Sequence, residues 1–516
     1  MTWGGAFETW LDSAESRYRR FLLEIETIPG GPGGSGTVAE GVLATEPASF
    51  QAQGVNPQSW EPTVGAFTVD VVTNDIAGLM DTARRGSPVS LKMGAAGWDY
   101  SAFERIALGR ITNITGAPGG NRYRVSCADL FSMPTRFDSS TGNLQLFTGT
   151  YEAGSTTTLT ADYDSVTPDT TISLASTAAL GRPTGGSYLV LVTPSSGEPF
   201  CLVGSSKTAS SMTIDTPGAN RYGTTRVDAS SGDTVTFVAL LRGHPLDLYR
   251  QILASTGNGT NGAYDVLPEA WGLALPDALI DHVDIGQYRA AVNFPSSTYE
   301  WSLIISAPLV SGFTQIRSIL AEAGLFAGVH EGQLTCRAAQ NPRDPGVGPF
   351  WVLGPEDIDM NRQSEWAAWD SQVPHEIATL TVNGPTQADG TLLGSATAAG
   401  SAQISSAPAY GGSDYPRTLS HAWHLTSSVC QEVADRLYVW AVTVPERFTL
   451  PLAGLIHHRL SPGSLVTLTL PDAYSRDAGG PCLLRTGMVM RQAPDWTRGP
   501  TVDVCLLPNS STSPHG

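Results

Sequence analysis

Arg221-Tyr222-Gly223-Thr224-Thr225, Ser231-Gly232-Asp233-Thr234-Val235, Gly243-His244-Pro245-Leu246-Asp247-Leu248-Tyr249 and Gly272-Leu273-Ala274-Leu275-Pro276-Asp277-Ala278-Leu279-Ile280-Asp281 mark where strand gives way to helix in this chain. Proline needs no N–H at the first helical position, so Pro245 is a start signal. Leu246, Tyr249, Ile252 and Leu253 then follow at the spacing of one apolar helix face. The same signal recurs at Pro276, with Leu279 and Ile280 behind it. Two short helices joined through the Gly/Asn-rich Gly257–Gly262 therefore form a joint between β-rich regions.

Upstream and downstream of that joint, strands dominate. Arg19 to Glu26, Gly65 to Val72, Val89 to Met93, residues 102 to 115 and Tyr123 to Ala128 read as short strands, and Pro29 to Gly34 as a loop. A second strand-rich region spans 147–242, with Asp169 to Leu174, Tyr188 to Val192, Phe200 to Val203, Met212 to Ile214 and Thr234 to Leu241. Beyond the joint, Tyr299, Trp301, Leu303 and Ile305 alternate as a strand. Phe313 to Ala323 is a helix closed by Gly324, and Gly328 to Gly332 is a turn into the strand Gln333 to Arg337. In the last region Glu376 to Val382 is a strand, Gly390 to Gly412 is loose, and Ser427 to Val442 is a helix. Arg447 to Leu452, Ser464 to Leu470, Gly487 to Met490 and Thr501 to Leu506 close the pattern, before a polar tail at 507–516. The expected fold is mainly β with a few short helices, multidomain, with barrel-like N- and C-terminal domains, an inserted β domain and a small α+β domain. The expected boundaries are 1–146, 147–242, 243–364 and 365–516.

Composition bounds the function. The chain has 516 residues, only 15% of them charged, with 55 glycines and 35 prolines, a balance that favours strands and turns. A net charge of −18 argues against sequence-reading nucleic-acid binding, which needs clustered Lys and Arg. Such a charge suits a wall past which DNA slides, and it also serves simple solubility. The six cysteines, Cys127, Cys201, Cys336, Cys430, Cys482 and Cys505, show no paired spacing and read as buried thiols. No signal-peptide pattern opens the chain, and no apolar run approaches the roughly 18 residues of a membrane span. We therefore expect a soluble product made in the cytoplasm, with no stable membrane insertion.

Candidate chemistry is sparse. His421-Ala422-Trp423-His424 and His457-His458 are the histidine clusters, and both read as packed or solvated rather than metal-ligating. Glu356, Asp357 and Asp359 read as a surface turn rather than an acid/base pair. The 12 tryptophans could form a carbohydrate-binding face, but core and interface packing account for them more simply. No phosphate loop, Gly-x-Ser-x-Gly or HExxH pattern occurs. No catalytic, cofactor-binding or metal residue is expected, and no cofactor.

The segment from Ser187 to Leu241 resembles a module of phage tail-tip proteins. Its strand pair, Tyr188 to Val192 and Glu198 to Val203, precedes an Arg-x-Gly-Thr-type turn at Arg221 to Thr224 and a Gly-Asp-x-Val strand at Gly232 to Val235. The helix opening at Pro245 to Leu248, the Gly-Leu-x-Leu-Pro segment at Gly272 to Pro276 and the barrel-strand entry at Leu460 to Val466 extend the match. The order of these motifs is similar to baseplate hub proteins of long-tailed, siphovirus-like phages over about two thirds of the chain. The resemblance implies a non-enzymatic homotrimer at the tail tip of a virion. Its two barrels per subunit would imitate the sixfold tube and join it to the fibre. Its partners would be a distal tail ring protein, a tape-measure protein and a tip or fibre protein, with DNA passing through unread. The alternatives are a hexameric distal tail ring protein, an enzyme degrading cell envelope or polysaccharide, and a host-receptor binder.

Overall fold

A computed structural model describes residues 3–25, 42–44, 49–55, 62–63, 65–72, 88–116, 121–128, 156–178, 188–219, 224–254, 275, 277–291, 301–305, 312–338, 351–365, 379–385, 395–399, 416–420, 427–442, 447–475 and 480–506. Pro29 to Gly34, Arg221 to Gly223, Gly257 to Gly262, Gly272 to Ala274, Pro276, His421, His424 and the tail lie outside the described residues. The protein is mainly β with a few short helices, in several sheets.

Helix α1 (Gly5–Leu11) opens the described chain. Strands β1 (Arg19–Ile25), β2 (Val42–Ala44), β3 (Ser49–Phe50), β4 (Gln53–Val55), β5 (Pro62–Thr63), β6 (Phe67–Val72), β7 (Pro88–Ala95), β8 (Glu104–Gly116) and β9 (Arg122–Ala128) follow. Pairing runs β2-β1-β7-β8-β9-β6, and β2 also pairs with β6 at Ala44 opposite Val71, so the ring of strands closes. Alternation fixes which face turns inward. Phe21 lies opposite Met93 and Leu23 opposite Leu91, while Phe67 faces Cys127 and Val69 faces Val125. All of these are buried in one cluster.

A second ring is built from β10 (Thr156–Thr158), β11 (Thr171–Ser173), β12 (Tyr188–Thr193), β13 (Phe200–Lys207), β14 (Ser211–Ile214) and β15 (Thr234–Phe237). Its order is β10-β15-β12-β13-β14-β11, and an antiparallel bridge from Leu159 to Leu174 joins the two ends. Val190, Val192, Phe200, Leu202, Met212, Val235 and Phe237 fill it. Two of the decisive motifs shape its turns. The Cys201 N–H donates to Thr224 Oγ1 at 2.9 Å, and the Asp233 carboxylate accepts the N–H groups of Ser195 and Ser230 at 3.0 and 2.7 Å.

The joint contains β16 (Ala239–Arg242), α2 (Pro245–Ala254), α3 (His282–Ala291), β17 (Ser302–Ile305), α4 (Gly312–Glu322), β18 (Leu325–His330) and β19 (Gln333–Ala338). The helix expected at Pro245 forms, and Leu246, Tyr249, Ile252 and Leu253 are all buried. The second start signal is displaced. Asp277–Leu279 forms a single 3-10 turn, Ile280 bridges to Leu334, and the α-helix begins only at His282. The turn expected at Gly328–Gly332 is shorter than its composition suggests. Leu325–His330 is a strand paired with β19, and only Glu331 and Gly332 turn, with φ of 46° and 76°. A two-residue hairpin loop with both φ positive matches the twist of its strands.

The C-terminal part holds β20 (Trp351–Leu353), β21 (Thr379–Asn383), β22 (Ser395–Ala399), β23 (Pro416–Ser420), α5 (Ser427–Val442), β24 (Arg447–Pro451), β25 (Leu465–Ser475), β26 (Gly480–Ala493) and β27 (Thr501–Leu506). Within the stretch expected to be loose, Ser395–Ala399 is a strand, because it pairs with β21 and packs against α5. The sheet runs in the order β20-β25-β26-β27-β24, and an isolated antiparallel bridge joins Ile358, past the 3-10 turn Pro355–Asp357, to Leu452 just beyond β24. Leu353, Phe448, Leu450, Val466, Leu468, Val502 and Val504 form its core. This sheet also takes β4 from the N-terminal region, with Gly54 opposite Arg491 and Gln53 opposite Gln492. Among the described residues no helix is long and apolar enough to cross a membrane.

Beyond the end of β27, strands β25 and β26 continue as a ribbon bearing the exposed Leu483 and Leu484. Leu484 sits at φ 51°, where a branched side chain is strained. Replacing it with asparagine removes that strain and sacrifices little burial. Leu484→Asn should therefore raise the thermal midpoint, by an amount corresponding to about 1 kcal/mol.

Candidate functional site

The place where separate parts of the chain converge is the tip of the β18–β19 hairpin. Asp281 caps α3, its Oδ1 accepting the Asp284 N–H at 3.0 Å. Asp284 thus faces β19, where Arg337 donates to both carboxylate oxygens, through Nε at 2.8 Å and Nη2 at 3.0 Å. The Thr335 hydroxyl donates to the same carboxylate. Arg337 is fully buried, and it also reaches Ser461 O and Ser464 Oγ in the turn leading into β25. Tyr288 lies under its guanidinium and donates to Gly463 O at 3.2 Å. Burial pulls the Asp284 carboxyl upward, but the charge and hydrogen bond of Arg337 outweigh it and leave the pKa lowered. Asp281 is likewise lowered, because the hydrogen bonds from His330 and the Asp284 N–H overcome the effect of burial.

One residue further on, Glu331 accepts Arg459 at 2.9 Å and the Trp3 N–H at 3.2 Å, and Arg459 also reaches Glu8 of α1. The Gln53 side chain clamps the Val329 backbone, accepting its N–H at 2.9 Å and donating to its carbonyl at 3.2 Å. The same amide donates to Gln492 at 2.6 Å. Gln492 in turn donates to His458 O at 3.1 Å. Trp3, Phe7, Trp10 and Leu11 of the N-terminal segment share one apolar cluster with Leu455 and Trp496 from the C-terminal region. A small cavity of about 30 Å³ lies here, lined by Trp3, Gln53, Glu331, His458, Gln492 and Trp496 among others. That volume suits a water or two, whereas a small-molecule site needs roughly 300 Å³.

Asp281, Asp284 and His330 bring three potential ligand atoms within 4.8 Å of one another. Their chemistry does not suit a metal. Asp284 is already held on both oxygens by a buried guanidinium, and a divalent cation beside Arg337 would add like charge in a low-dielectric setting. The cluster is a structural ion network.

Of the residues singled out from the sequence, those described lie in packed positions or in a turn. His457 and His458 are both buried. His457 contacts Asp357 at 3.2 Å and Ala453 O at 2.6 Å. His458 stacks on Trp496, with ring centroids 3.7 Å apart and an interplanar angle of 10°. Asp357 accepts the Gly354 N–H inside the 3-10 turn Pro355–Asp357, while Glu356 is exposed, so these carboxylates form the turn expected of them. Trp3, Trp10, Trp301 and Trp496 are buried, as core and interface packing requires. All six cysteines are buried free thiols.

The network of Gln53, Asp281, Asp284, Glu331, Arg337, Arg459 and Gln492 was missed by sequence reasoning. Two signals were available: Asp281 at an N-cap position ahead of a helix, and a lone arginine within the apolar strand Leu334-Thr335-Cys336-Arg337-Ala338.

No protein-family profile and no curated protein matches the chain. Among solved structures it is similar to a tail protein from Neisseria meningitidis, with 11% identity, 94% of this chain and 96% of that one covered, and a TM-score of 0.36. It is also similar to a prophage tail protein from Shewanella oneidensis, with 9% identity, coverage of 95% and 98%, and a TM-score of 0.35. A third similar structure is a prophage tail protein from Listeria monocytogenes, with 7% identity, coverage of 96% and 95%, and a TM-score of 0.35.

Proposed function

We propose that this chain is a structural, non-catalytic protein of a phage tail, and within the tail the hub of the tip. The observation that carries the reading is the strand exchange by which β4 enters the C-terminal sheet. It ties the N-terminal ring of strands to the C-terminal sheet of the same chain, so in this reading each copy supplies two ring positions and three copies supply six. The order of motifs from Ser187 to Val466 supports the same reading, as does the acidic balance of a wall that DNA must pass. In this role the homotrimer surrounds an axial channel holding tape-measure protein before infection and passing DNA during it. A distal tail ring protein lies above it and a tip or fibre protein below. Closed rotational symmetry is the usual outcome for such a subunit.

The mass and symmetry of the native assembly test this. Three copies weigh 3 × 54.4 = 163.2 kDa and should appear as a threefold ring with a central opening. An assembly of 6 × 54.4 = 326.4 kDa would move the reading to the distal tail ring. A monomer that forms no ring beside its tail partners would overturn both and direct attention to activity on purified envelope.

A further inference from the structure

We propose that the joint between the N- and C-terminal barrels is a proton-operated latch, closed by the neutral imidazole of His458 and loosened when that ring is protonated. His458 is buried, stacked on Trp496, and bonded through Nε2 to Asp495 O at 3.0 Å. Trp496 packs edge-on against Trp3, with centroids 6.1 Å apart, and belongs to the apolar cluster of the first barrel. The carbonyl of His458 holds Gln492, which holds Gln53 of β4. His458 therefore touches two of the links between the N- and C-terminal regions, the aromatic cluster and the pairing of β4 with β26.

Burial outweighs what the charged surroundings offer the imidazolium. Asp495 favours it through its carbonyl and its charge, Arg362 and His457 disfavour it less strongly, and the Asp495 carboxylate is also engaged by Thr497 and Arg498. On the hairpin side, Glu331 is taken by Arg459 and the Trp3 N–H, and Glu8 of α1 by Arg459. Burial, ahead of these charges, pushes the His458 pKa down to about 3 from an ordinary 6.5. Asp281, Asp284 and Asp495 all have lowered pKa values, so they stay ionised above pH 5. His282, also lowered by burial, faces Asp277 instead.

The sign follows from linkage. The open joint exposes an ordinary imidazole and binds a proton below pH 6.5, while the closed joint refuses it until about pH 3. Closure is therefore complete above 6.5 and weakens as pH falls through that window. Opening should become about 25-fold more favourable from pH 7 to pH 5. This inference concerns the joint alone and does not depend on the tail-hub reading.

Hydrogen exchange on the full chain tests it, with rates corrected for intrinsic chemistry. Protection of the amides in 49–55 and 487–493 should drop by about that factor from pH 7 to pH 5, while the core amides of β12 and β13 hold theirs. His458→Asn, neutral at both pH values, should flatten the dependence, and His457→Asn should retain it. His458→Gln provides a second neutral variant if the asparagine does not fold. A flat profile in the unaltered chain would overturn the proposal, as would an unchanged slope in either His458 variant. If neither variant folds, labelled histidine in the unaltered chain decides: a His458 ring that titrates near pH 6.5 with the joint still protected would also overturn it.

Discussion

Arg337→Met should lower the stability of the joint by about 3–5 kcal/mol, the usual cost of leaving one partner of a buried ion pair behind. Methionine retains much of the aliphatic volume, so the effect is mainly electrostatic. Asp284, buried at 7% exposure, would lose both guanidinium hydrogen bonds and keep only the Thr335 hydroxyl and its own helix. With Arg337 gone, burial would dominate and push the Asp284 carboxyl above the ordinary carboxylate range. The variant should therefore be destabilised more as pH rises, because its unpaired acid must stay protonated while the unfolded form ionises freely. Asp284→Asn combined with Arg337→Met should recover a large part of the loss, since no charge is then stranded. Denaturant unfolding of the two single variants and the double variant, read at the earliest transition, measures this. Additive losses in the double variant would show that the pair is not coupled.

The second large effect is expected at Gly54. This residue has φ +139°, and a Cβ there would lie 2.2 Å from Met490 O and 2.6 Å from Arg491 Cα. These are backbone atoms of β26, so a side chain has nowhere to yield. Gly54→Ala should push β4 away from β26 and break the Gln53 clamp on Val329 and Gln492 with it. Strain of about 1–3 kcal/mol, added to lost hydrogen bonds of about 1 kcal/mol each, gives a loss of about 3 kcal/mol or more. The barrels should survive individually while the joint opens. Protection should then fall in 49–55 and 487–493 and persist in β12, β13 and β7. Retained joint protection in Gly54→Ala would show that the strand exchange does not hold the barrels together.

Which strands and helices form was largely legible along the chain. Phe67, Val69 and Val71 alternate in β6, and Val89, Leu91 and Met93 in β7, because one face of each meets a core. The helix at Pro245 was legible for a similar reason, since start signal, periodicity and burial agree. Local rules failed where a tertiary partner intervened. Leu325–His330 is a strand because β19 lies beside it, although its glycine and histidine read as a turn. Ser395–Ala399 carries only small and polar side chains, and β21 and α5 make it a strand. Helix α1 has only seven residues, too short to persist alone, and exists because Phe7, Trp10 and Leu11 enter the cluster shared with Trp496.

By itself, the sequence determined the mainly β class, the helix opening at Pro245 and the buried thiols, and it read His457 and His458 as packed or solvated. Each follows from composition or short-range periodicity, which a chain carries wherever it folds. Only the tertiary structure decided that the strands close into rings, that Gln53 reaches across 439 positions to Gln492, and that Glu331 joins Trp3 to Arg459. Strand closure and buried polar pairing join residues distant in sequence. Their partners are chosen by register and desolvation, which leave no local pattern to read.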